Sequence, residues 1–328
     1  MFIKLHASII VTYRCNAKCN MCYAWKYPTQ ANEEVSVEVI EKLPQMFFVN
    51  ITGGEPFLRE DLEDIVSILS KKSKRIVIST NGFFSEKIAL LCNKFPNLGV
   101  RISVEGLSKA NDTIRGIIGG FDSALRTLFR LREAGIKDIG LAFTIQDINI
   151  KDLVYLYYLT QALGCEFATA ILHNSYYFHK WDNFINDKEK VIAEIKKLIK
   201  FLFKSKKVKD WFRAYFNYGL IRYLKAYKRL IPCEMGKHGF FLDPTGDVLP
   251  CNGMDQKQPM GNLIEQTWNN IWKSNKAQEV RQIVRNCKKN CWMIGSVAPS
   301  IWHHPIKPIK WVLKNKLIHA LGKNSYIT

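Results

Sequence analysis

The sequence lacks long apolar runs and has few acidic residues. No stretch approaches the ~20 uninterrupted apolar residues of a membrane-spanning helix. The N-terminal MFIKLHASIIVTYRCN has only a brief apolar run and no small-residue cleavage site, so it predicts a first strand rather than a signal peptide. We therefore expect a cytoplasmic protein. The 29 acidic residues stand against 48 basic ones, and the net charge of +19 suggests nucleic acid, an anionic membrane surface or an acidic substrate as partner.

The basic residues are concentrated in two segments, 188–230 and 306–323. The first segment is as consistent with a set of solvated helix faces as with a surface that binds an anionic partner. The second contains a predicted basic amphipathic helix, Ile309–Leu321, with Trp311, Val312, Leu317, Ile318 and Leu321 among lysines and with His303 and His304 before it. This helix either lies at the inner face of an anionic membrane or packs on the rest of the protein. No nucleic-acid module, internal repeat or low-complexity tract is recognisable, so nucleic acid is the lesser possibility.

The hydrophobic fraction of 47% supports a full core, and its periodicity alternates between strand and helix in the first half. The strand candidates are Ser8–Thr12, Phe47–Thr52, Arg75–Ser79, Val100–Val104, Ile139–Ile145 and Glu166–Leu172. The helix candidates between them include Leu62–Lys71, Ser85–Lys94, Phe121–Ala134 and Leu153–Leu163, with Gly135 and Gly164 as C-terminal stops. Six such units predict an α/β fold, a partial (β/α)6 TIM-like barrel with functional residues at the C-terminal ends of its strands.

The pattern divides the chain into four segments: a partial barrel (1–185), a basic helical connector (186–230), a small hairpin-and-helix extension (231–295) and a basic tail (296–328). In the extension, HGFFLDPTGDVLPCNG predicts a β-hairpin with its turn at Pro244-Thr245-Gly246-Asp247. Two short helices, about Leu263–Ser274 and Ala277–Arg285, follow it.

Nine cysteines in a chain of this kind favour metal or redox chemistry over disulfides. Seven form two groups: Cys15, Cys19 and Cys22, then Cys233, Cys251, Cys287 and Cys291. The first three follow the first strand, and thiolates in this spacing fit one face of an iron–sulfur cubane with one iron left open. Zinc is the rival metal, but a structural zinc site needs a fourth ligand, and no His or Cys lies nearby in the sequence.

The triplet, with Tyr23 beside it and Gly53-Gly54-Glu55-Pro56 after the second strand, resembles the radical S-adenosylmethionine (SAM) enzymes over residues ~5 to ~295. The resemblance implies a [4Fe–4S] cluster whose open iron binds SAM, reductive cleavage to a 5′-deoxyadenosyl radical, and a flavodoxin- or ferredoxin-type electron donor. The remaining strand ends agree, since Ser79-Thr80-Asn81-Gly82 and the residues around Glu105 occupy positions where the family binds SAM. The implied cofactor-binding residues are Tyr23, Thr52, Gly53, Gly54, Glu55, Pro56, Ser79, Asn81, Ser103, Glu105, Arg115 and Phe143.

The second cysteine group resembles the SPASM/twitch extension of that family, although full SPASM domains have about seven cysteines and this segment has four. The resemblance implies one auxiliary [4Fe–4S] cluster in the twitch form, with a structural zinc site as the alternative. Cys92 and Cys165 stand apart and are expected in the core. If either were a hydrogen-atom donor, the enzyme would be an epimerase rather than a dehydrogenase.

Three functions compete. The leading expectation is a dehydrogenase or epimerase of a carbohydrate, aminocyclitol or lipid-linked anionic glycan. A ribosomal peptide maturase is the alternative, and the first strand's start within ~8 residues of Met1 counts mildly against it, because peptide maturases frequently carry an N-terminal leader-binding domain. A purely electron-relaying protein is the third. The loop after the sixth strand supplies candidates for substrate binding or a catalytic base: His173, Asn174, Tyr176, Tyr177 and His179. A loop that merely covers the barrel mouth is the plainer interpretation.

Overall fold

The computed structural model describes residues 4–322, and its centre is a nine-stranded sheet in the order β6-β5-β4-β3-β2-β1-β7-β8-β9. The strands are β1 (His6–Ile10), β2 (Phe48–Thr52), β3 (Ile76–Thr80), β4 (Gly99–Ser103), β5 (Ile139–Ile145), β6 (Glu166–Ile171), β7 (Gly239–Leu242), β8 (Asp247–Leu249) and β9 (Gly261–Asn262). The first six pair in parallel and in chain order. The predicted partial (β/α)6 barrel is confirmed, and the sheet is not closed on itself.

Twelve α-helices are formed by residues 4–322. They are α1 (Val37–Glu41), α2 (Leu62–Lys72), α3 (Ser85–Lys94), α4 (Ser108–Arg115), α5 (Gly120–Glu133), α6 (Leu153–Ala162), α7 (Lys188–Lys204), α8 (Val208–Leu224), α9 (Trp268–Lys273), α10 (Asn275–Arg285), α11 (Ile294–His303) and α12 (Ile306–Ala320). None is long and apolar enough to cross a bilayer. Gly135 and Gly164 follow α5 and α6 in the left-handed conformation (φ +74° and +63°), as predicted for helix stops.

Strands β1 to β6 form because β-branched side chains fill both faces of a parallel sheet. Ile9, Ile51, Ile78, Val100 and Leu141 are all fully buried. Strand ends differ from the sequence prediction by up to two residues. For example, β1 ends at Ile10, because the residues after it turn to hold the loop that carries the first cysteines.

The hairpin extension joins the barrel sheet directly. β7 pairs with β1 in parallel, His6 opposite Gly239, and then with β8 in antiparallel fashion. The predicted turn is confirmed. Gly246 lies at φ +90°, and one Asp243 carboxylate oxygen accepts hydrogen bonds from the backbone of Thr245 and Asp247, both at 3.0 Å. The auxiliary cysteines therefore sit on a continuation of the barrel sheet.

The helices after residue 186 belong to the core. α7 and α8 pack on each other, α7 packs against α6, and α8 packs against β6. Val191, Ile195, Leu198 and Ile199 of α7 are buried, so only its remaining faces carry solvated lysines. The four segment limits stay a prediction.

The C-terminal region is more helical than the sequence predicts. α11 (Ile294–His303) leads into the basic tail, for which only the Ile309–Leu321 helix was predicted, and α12 begins at Ile306 rather than Ile309. Pro305 and Pro308 lie at the start of α12, where backbone N–H groups have no intrahelical acceptor and proline costs little. His304 Nε2 bonds Glu234 at 2.6 Å, and the His303 ring stacks on His238 with centroids 3.5 Å apart. These contacts fasten the C-terminal segment to the hairpin extension.

Candidate functional site

The first cysteine group lies in the loop that follows β1, at the C-terminal edge of the parallel strands. Cys19 is buried, and Cys15 and Cys22 are partly buried. Burial raises the pKa of the Cys15 thiol to about 12 and that of Cys22 to about 11, and it also raises the pKa of Cys19. Cys19 acts electrostatically on both of the other thiols. Without a bound cation these thiols are protonated at neutral pH.

Glu34 fixes the start of this loop. Its carboxylate accepts hydrogen bonds from the Thr12 hydroxyl, from Thr29 Oγ1 at 2.7 Å and from the Arg14 guanidinium at 2.7 and 3.0 Å. Thr29 in turn accepts the Tyr13 N–H at 3.0 Å. Sequence reasoning missed Glu34, because it lies in an irregular segment beyond the cysteines and belongs to no recognisable motif.

Gly53 and Gly54 bring the end of β2 against the same loop. A Cβ on Gly54 would lie 2.2 Å from the Arg14 carbonyl oxygen, and one on Gly53 would lie 2.6 Å from that of Thr12. Gly54 N–H donates to Thr12 O at 2.7 Å, and Glu55 N–H donates to Arg14 O at 2.8 Å. The two glycines therefore permit close packing of two backbone segments within the protein.

The Glu55 side chain is fully buried and ties β2 to β3. It accepts the Asn81 N–H at 2.7 Å and the Thr80 hydroxyl at 2.8 Å, and burial raises its pKa. Asn81 Nδ2 then donates to Asn16 in the cysteine loop at 2.7 Å. Ser79 Oγ bonds Asn50 on β2 at 3.1 Å. In this arrangement Glu55 and Asn81 position the loop.

Glu105 and Arg115 form a buried ion pair beside the cysteines. Arg115 Nη1 lies 3.2 Å from Glu105 Oε1, and the other Glu105 oxygen accepts the Thr144 N–H at 2.6 Å. Burial raises the pKa of Glu105 to about 7, against the opposing effect of Arg115. Arg115 acts electrostatically on Cys15 and Cys19, and its Nε is buried without a hydrogen-bond partner in the described structure. A polar donor therefore remains free next to the cysteines.

Two other residues expected to contact SAM, Phe143 and Tyr23, have side chains that contact other parts of the protein. The Phe143 side chain is buried in the barrel core against Phe167, two residues before the end of β5. The Tyr23 N–H donates to Phe178 O at 2.8 Å, and its hydroxyl accepts from Lys180 Nζ at 2.8 Å. Tyr23 thus joins the cysteine loop to the loop after β6. Ser103 lies partly buried at the end of β4.

The loop after β6 contacts the segment Gly53-Gly54-Glu55-Pro56 at the end of β2. The Tyr177 hydroxyl donates to Gly53 O and lies 3.2 Å from Thr52 Oγ1. His179 has a left-handed backbone (φ +49°), and its ring meets Tyr13 edge-on at 4.9 Å. His179 Nε2 and Tyr13 Oη are buried without partners among residues 4–322.

The other predicted residues of this loop stabilise the loop itself. His173 Nδ1 bonds Ile171 O at 2.8 Å, and burial lowers its pKa. Asn174 exchanges hydrogen bonds with the backbone of Asn183. Tyr176 lies beside His179 with ring centroids 5.8 Å apart.

The second cysteine group gathers around the end of β8. Cys251 follows the strand, burial raises its pKa to about 12, and Cys291, Cys233 and Cys287 raise it further. By residue type, four cysteines are the ligands of a fully ligated cubane or of one Zn²⁺. No group of three or more His, Cys, Asp and Glu side chains in the described range has the arrangement to hold a metal ion. In a cubane each thiolate binds a separate iron, so the four sulfurs need not converge on one point.

One apolar cluster lies between the two cysteine groups. Its buried members are Ile10, Tyr13, Ala24, Met235, Phe241, Leu249 and Val284. Cys22 of the first group and Cys251 of the second both pack against it, together with Tyr177 and Met254. One cysteine of each group therefore contacts the same buried cluster of aromatic and aliphatic side chains. Cys92 and Cys165 are buried in the main core, as predicted.

Two family models match the chain. The Radical SAM superfamily model matches residues 9–157, and an iron–sulfur cluster-binding domain model, SPASM, matches residues 233–292. The Fe-coproporphyrin III synthase of Methanosarcina barkeri is 36% identical over 163 residues, which cover 46% of this chain and 39% of that protein. The antilisterial bacteriocin subtilosin biosynthesis protein AlbA of Bacillus subtilis is 28% identical over 282 residues, covering 82% and 60%. The mycofactocin maturase MftC of Mycolicibacterium smegmatis is 25% identical over 282 residues, covering 80% and 68%. The chain thus spans only part of the length of these relatives.

Solved structures share the fold at low sequence identity. Native anSMEcpe with bound AdoMet and Cp18Cys peptide aligns with a TM-score of 0.63 at 16% identity, covering 94% of this chain and 99% of that one. SuiB of Streptococcus suis bound to S-adenosylmethionine aligns with a TM-score of 0.64 at 16% identity, covering 87% and 68%.

Proposed function

Since this chain belongs to the radical SAM superfamily and carries a SPASM-type iron–sulfur domain, we propose that it is a radical SAM enzyme that modifies a ribosomal peptide. The radical part rests chiefly on the three cysteines of the loop after β1, which lie beside Arg115 and the Gly53-Gly54 turn. The peptide part is supported by relatives named for subtilosin biosynthesis and mycofactocin maturation, each aligned over at least four fifths of this chain. The expected carbohydrate or glycan substrate receives no support from these relatives.

Cys15, Cys19 and Cys22 would hold a [4Fe–4S] cluster with one iron left for SAM. Such a cluster would supply the one electron that divides SAM into methionine and a 5′-deoxyadenosyl radical, which would then be the hydrogen acceptor for the substrate. The chain's own part is placement and exclusion of water. Glu34 and Glu55 hold the cysteine loop against the strand ends, and Arg115 Nε is the free donor that suits the SAM carboxylate.

The remaining SAM contacts are proposed at Ser79, Ser103 and the backbone of Gly53 and Phe143, which share the C-terminal edge of the sheet. Cys233, Cys251, Cys287 and Cys291 would hold an auxiliary [4Fe–4S] cluster. Cys22 and Cys251 pack against the same apolar cluster, so the two proposed iron–sulfur clusters would be joined by one packed layer of side chains. A flavodoxin- or ferredoxin-type protein would supply the reducing electron.

Anaerobic reconstitution with iron and sulfide tests the cluster assignment. We expect about eight irons per chain in the wild type and about four in either Cys19→Ala or Cys251→Ala. Dithionite reduction with SAM should release 5′-deoxyadenosine from the wild type and not from Cys19→Ala. Cys92→Ala, a change at a core cysteine outside both groups, should retain the full iron content. Four irons plus one zinc in the wild type would remove the proposed redox role of the second group.

Co-expression with short peptides encoded near the gene tests the substrate. A peptide substrate should emerge with a mass change that depends on Cys19, and deuterium placed in it should appear in 5′-deoxyadenosine. Deuterium transfer from a sugar or aminocyclitol, with no transfer from any peptide, would contradict the peptide proposal and leave the radical chemistry intact.

A further inference from the structure

The C-terminal helix α12 has two apolar faces, and only one of them packs on the protein. Val312 is 2% exposed, the Trp311 ring stacks on Tyr218 with centroids 5.0 Å apart, and Lys316 Nζ bonds the Phe203 carbonyl at the end of α7. The sequence interpretation grouped Trp311 and Val312 with Leu317 and Leu321 on one face. The structure divides them, because the first two point toward α8 and the last two point to solvent.

The second apolar face is an exposed stripe. Its members recur every three or four residues along the helix: Ile306 (66% exposed), Ile309 (42%), Leu313 (61%), Leu317 (62%) and Leu321 (63%). At 1.5 Å per residue the stripe is about 22 Å long. A continuous apolar stripe of this kind is unusual on a soluble surface and marks a binding surface.

Lysines border the stripe. Lys307, Lys310 and Lys314 are exposed on α12 itself, with Lys307 and Lys314 along one side of the stripe and Lys310 within it near Leu317 and Leu321. No aspartate or glutamate follows Glu279 in the sequence, so the C-terminal region carries positive charge only. An apolar centre with a lysine border matches the acyl boundary and phosphate layer of an anionic bilayer.

We propose that α12 docks the protein flat on an anionic lipid bilayer, with the Ile306–Leu321 stripe at the acyl boundary and the bordering lysines on lipid phosphates. The helix does not cross the membrane, since no described helix is long and apolar enough for that. A second copy of the chain fits this surface less well, because an isologous contact would bring two lysine borders together. The docking does not depend on the radical chemistry proposed for the cysteine site.

Co-sedimentation of the full chain with phosphatidylglycerol-rich vesicles, compared with pure phosphatidylcholine vesicles, tests this proposal. We expect binding to the anionic vesicles only, weakening as salt increases. Leu313→Glu/Leu317→Glu should abolish it, because two charges would enter the acyl boundary. Leu90→Glu changes a leucine of equal exposure (62%) on the distant helix α3 and should bind as the wild type does.

A second variant tests the charge without changing the stripe. Lys307→Gln/Lys310→Gln/Lys314→Gln should weaken binding about five-fold per lysine, roughly a hundred-fold in all. The control Lys71→Gln/Lys74→Gln/Lys87→Gln removes the same charge from another surface and should weaken vesicle binding much less. Failure to bind anionic vesicles at low salt, or equal losses in the two lysine variants, would overturn the proposal. So would a concentration-dependent dimer in analytical ultracentrifugation that the Leu313→Glu/Leu317→Glu variant abolishes.

Discussion

Gly54→Ala should selectively disturb the first cysteine loop. The added Cβ would lie 2.2 Å from the Arg14 carbonyl oxygen and 2.8 Å from that of Tyr13, both backbone atoms. A relaxed C···O contact is about 3.3 Å, so the segment that leads into Cys15 must move by about 1 Å. That movement strains the Gly54 N–H to Thr12 O bond of 2.7 Å and the adjacent bond from Glu55 to Arg14. Overpacking of this kind costs about 1–3 kcal/mol.

Gly140→Ala is the matched control. Its Cβ would lie 2.3 Å from the Glu166 carbonyl oxygen, a backbone clash of the same size, but Gly140 is near the start of β5, at the edge of the sheet away from the cysteines. We expect both variants to lose similar stability. Only Gly54→Ala should load fewer irons, losing about four of about eight, and release iron faster to a chelator. Equal iron content in the two variants would refute the argument that Gly54 sets the position of the cysteine loop.

Two further changes test the surroundings of the site. Glu34→Gln removes the carboxylate charge that Arg14 and two threonine hydroxyls contact, so iron release should accelerate. Its free energy of unfolding, measured with urea, should fall by about 1.5–3 kcal/mol. In the control Glu63→Gln, which breaks an exposed ion pair with Lys94, it should fall by under about 1 kcal/mol. Burial lowers the pKa of His6 from 6.5 in the unfolded chain to about 4 in the folded protein. Between these two pH values the imidazole is protonated in the unfolded chain but not in the folded one. The free energy of unfolding therefore falls as the pH falls through this window. Between pH 7 and pH 5 this loss is at most about 2 kcal/mol, and His6→Phe should remove it from the stability measured by urea unfolding of the apo protein. An unchanged difference between the two pH values would rule out His6 as its source.

The parts of the site that a short sequence motif specifies were predicted, and the parts that depend on distant packing were not. The cysteine loop comes immediately after β1, and Gly53-Gly54 comes immediately after β2. Because the two strands are parallel, both segments lie at the same edge of the sheet. Glu34 lies in an irregular segment, and no periodicity indicates that it supports Thr12 and Arg14. The apolar residues of α12 were identified from the sequence. Which of its two apolar faces packs against α8 could not be predicted, because that depends on the tertiary structure.

Glu55 illustrates a different difficulty. The motif predicts a residue near SAM, and the structure adds a buried carboxylate that links Thr80 and Asn81 to the cysteine loop. A sequence gives the residue type at a strand end, whereas the direction of its side chain depends on the neighbouring loop. Phe143 differs in the same way, since strand alternation turns its ring into the core.

The pairing of β1 with β7 has a consequence for synthesis of the chain. β1 is made well before β7, and one of its edges is completed only when Gly239 is available opposite His6, 233 residues later (239 − 6). At roughly 5–20 residues per second, the ribosome needs about 12 to 47 s to reach that point. Until then an apolar parallel strand presents unpaired backbone groups, the surface on which misassembly between nascent chains begins. Folding of the cysteine loop after β1 is thus tied to the arrival of the segment that carries the second cysteine group.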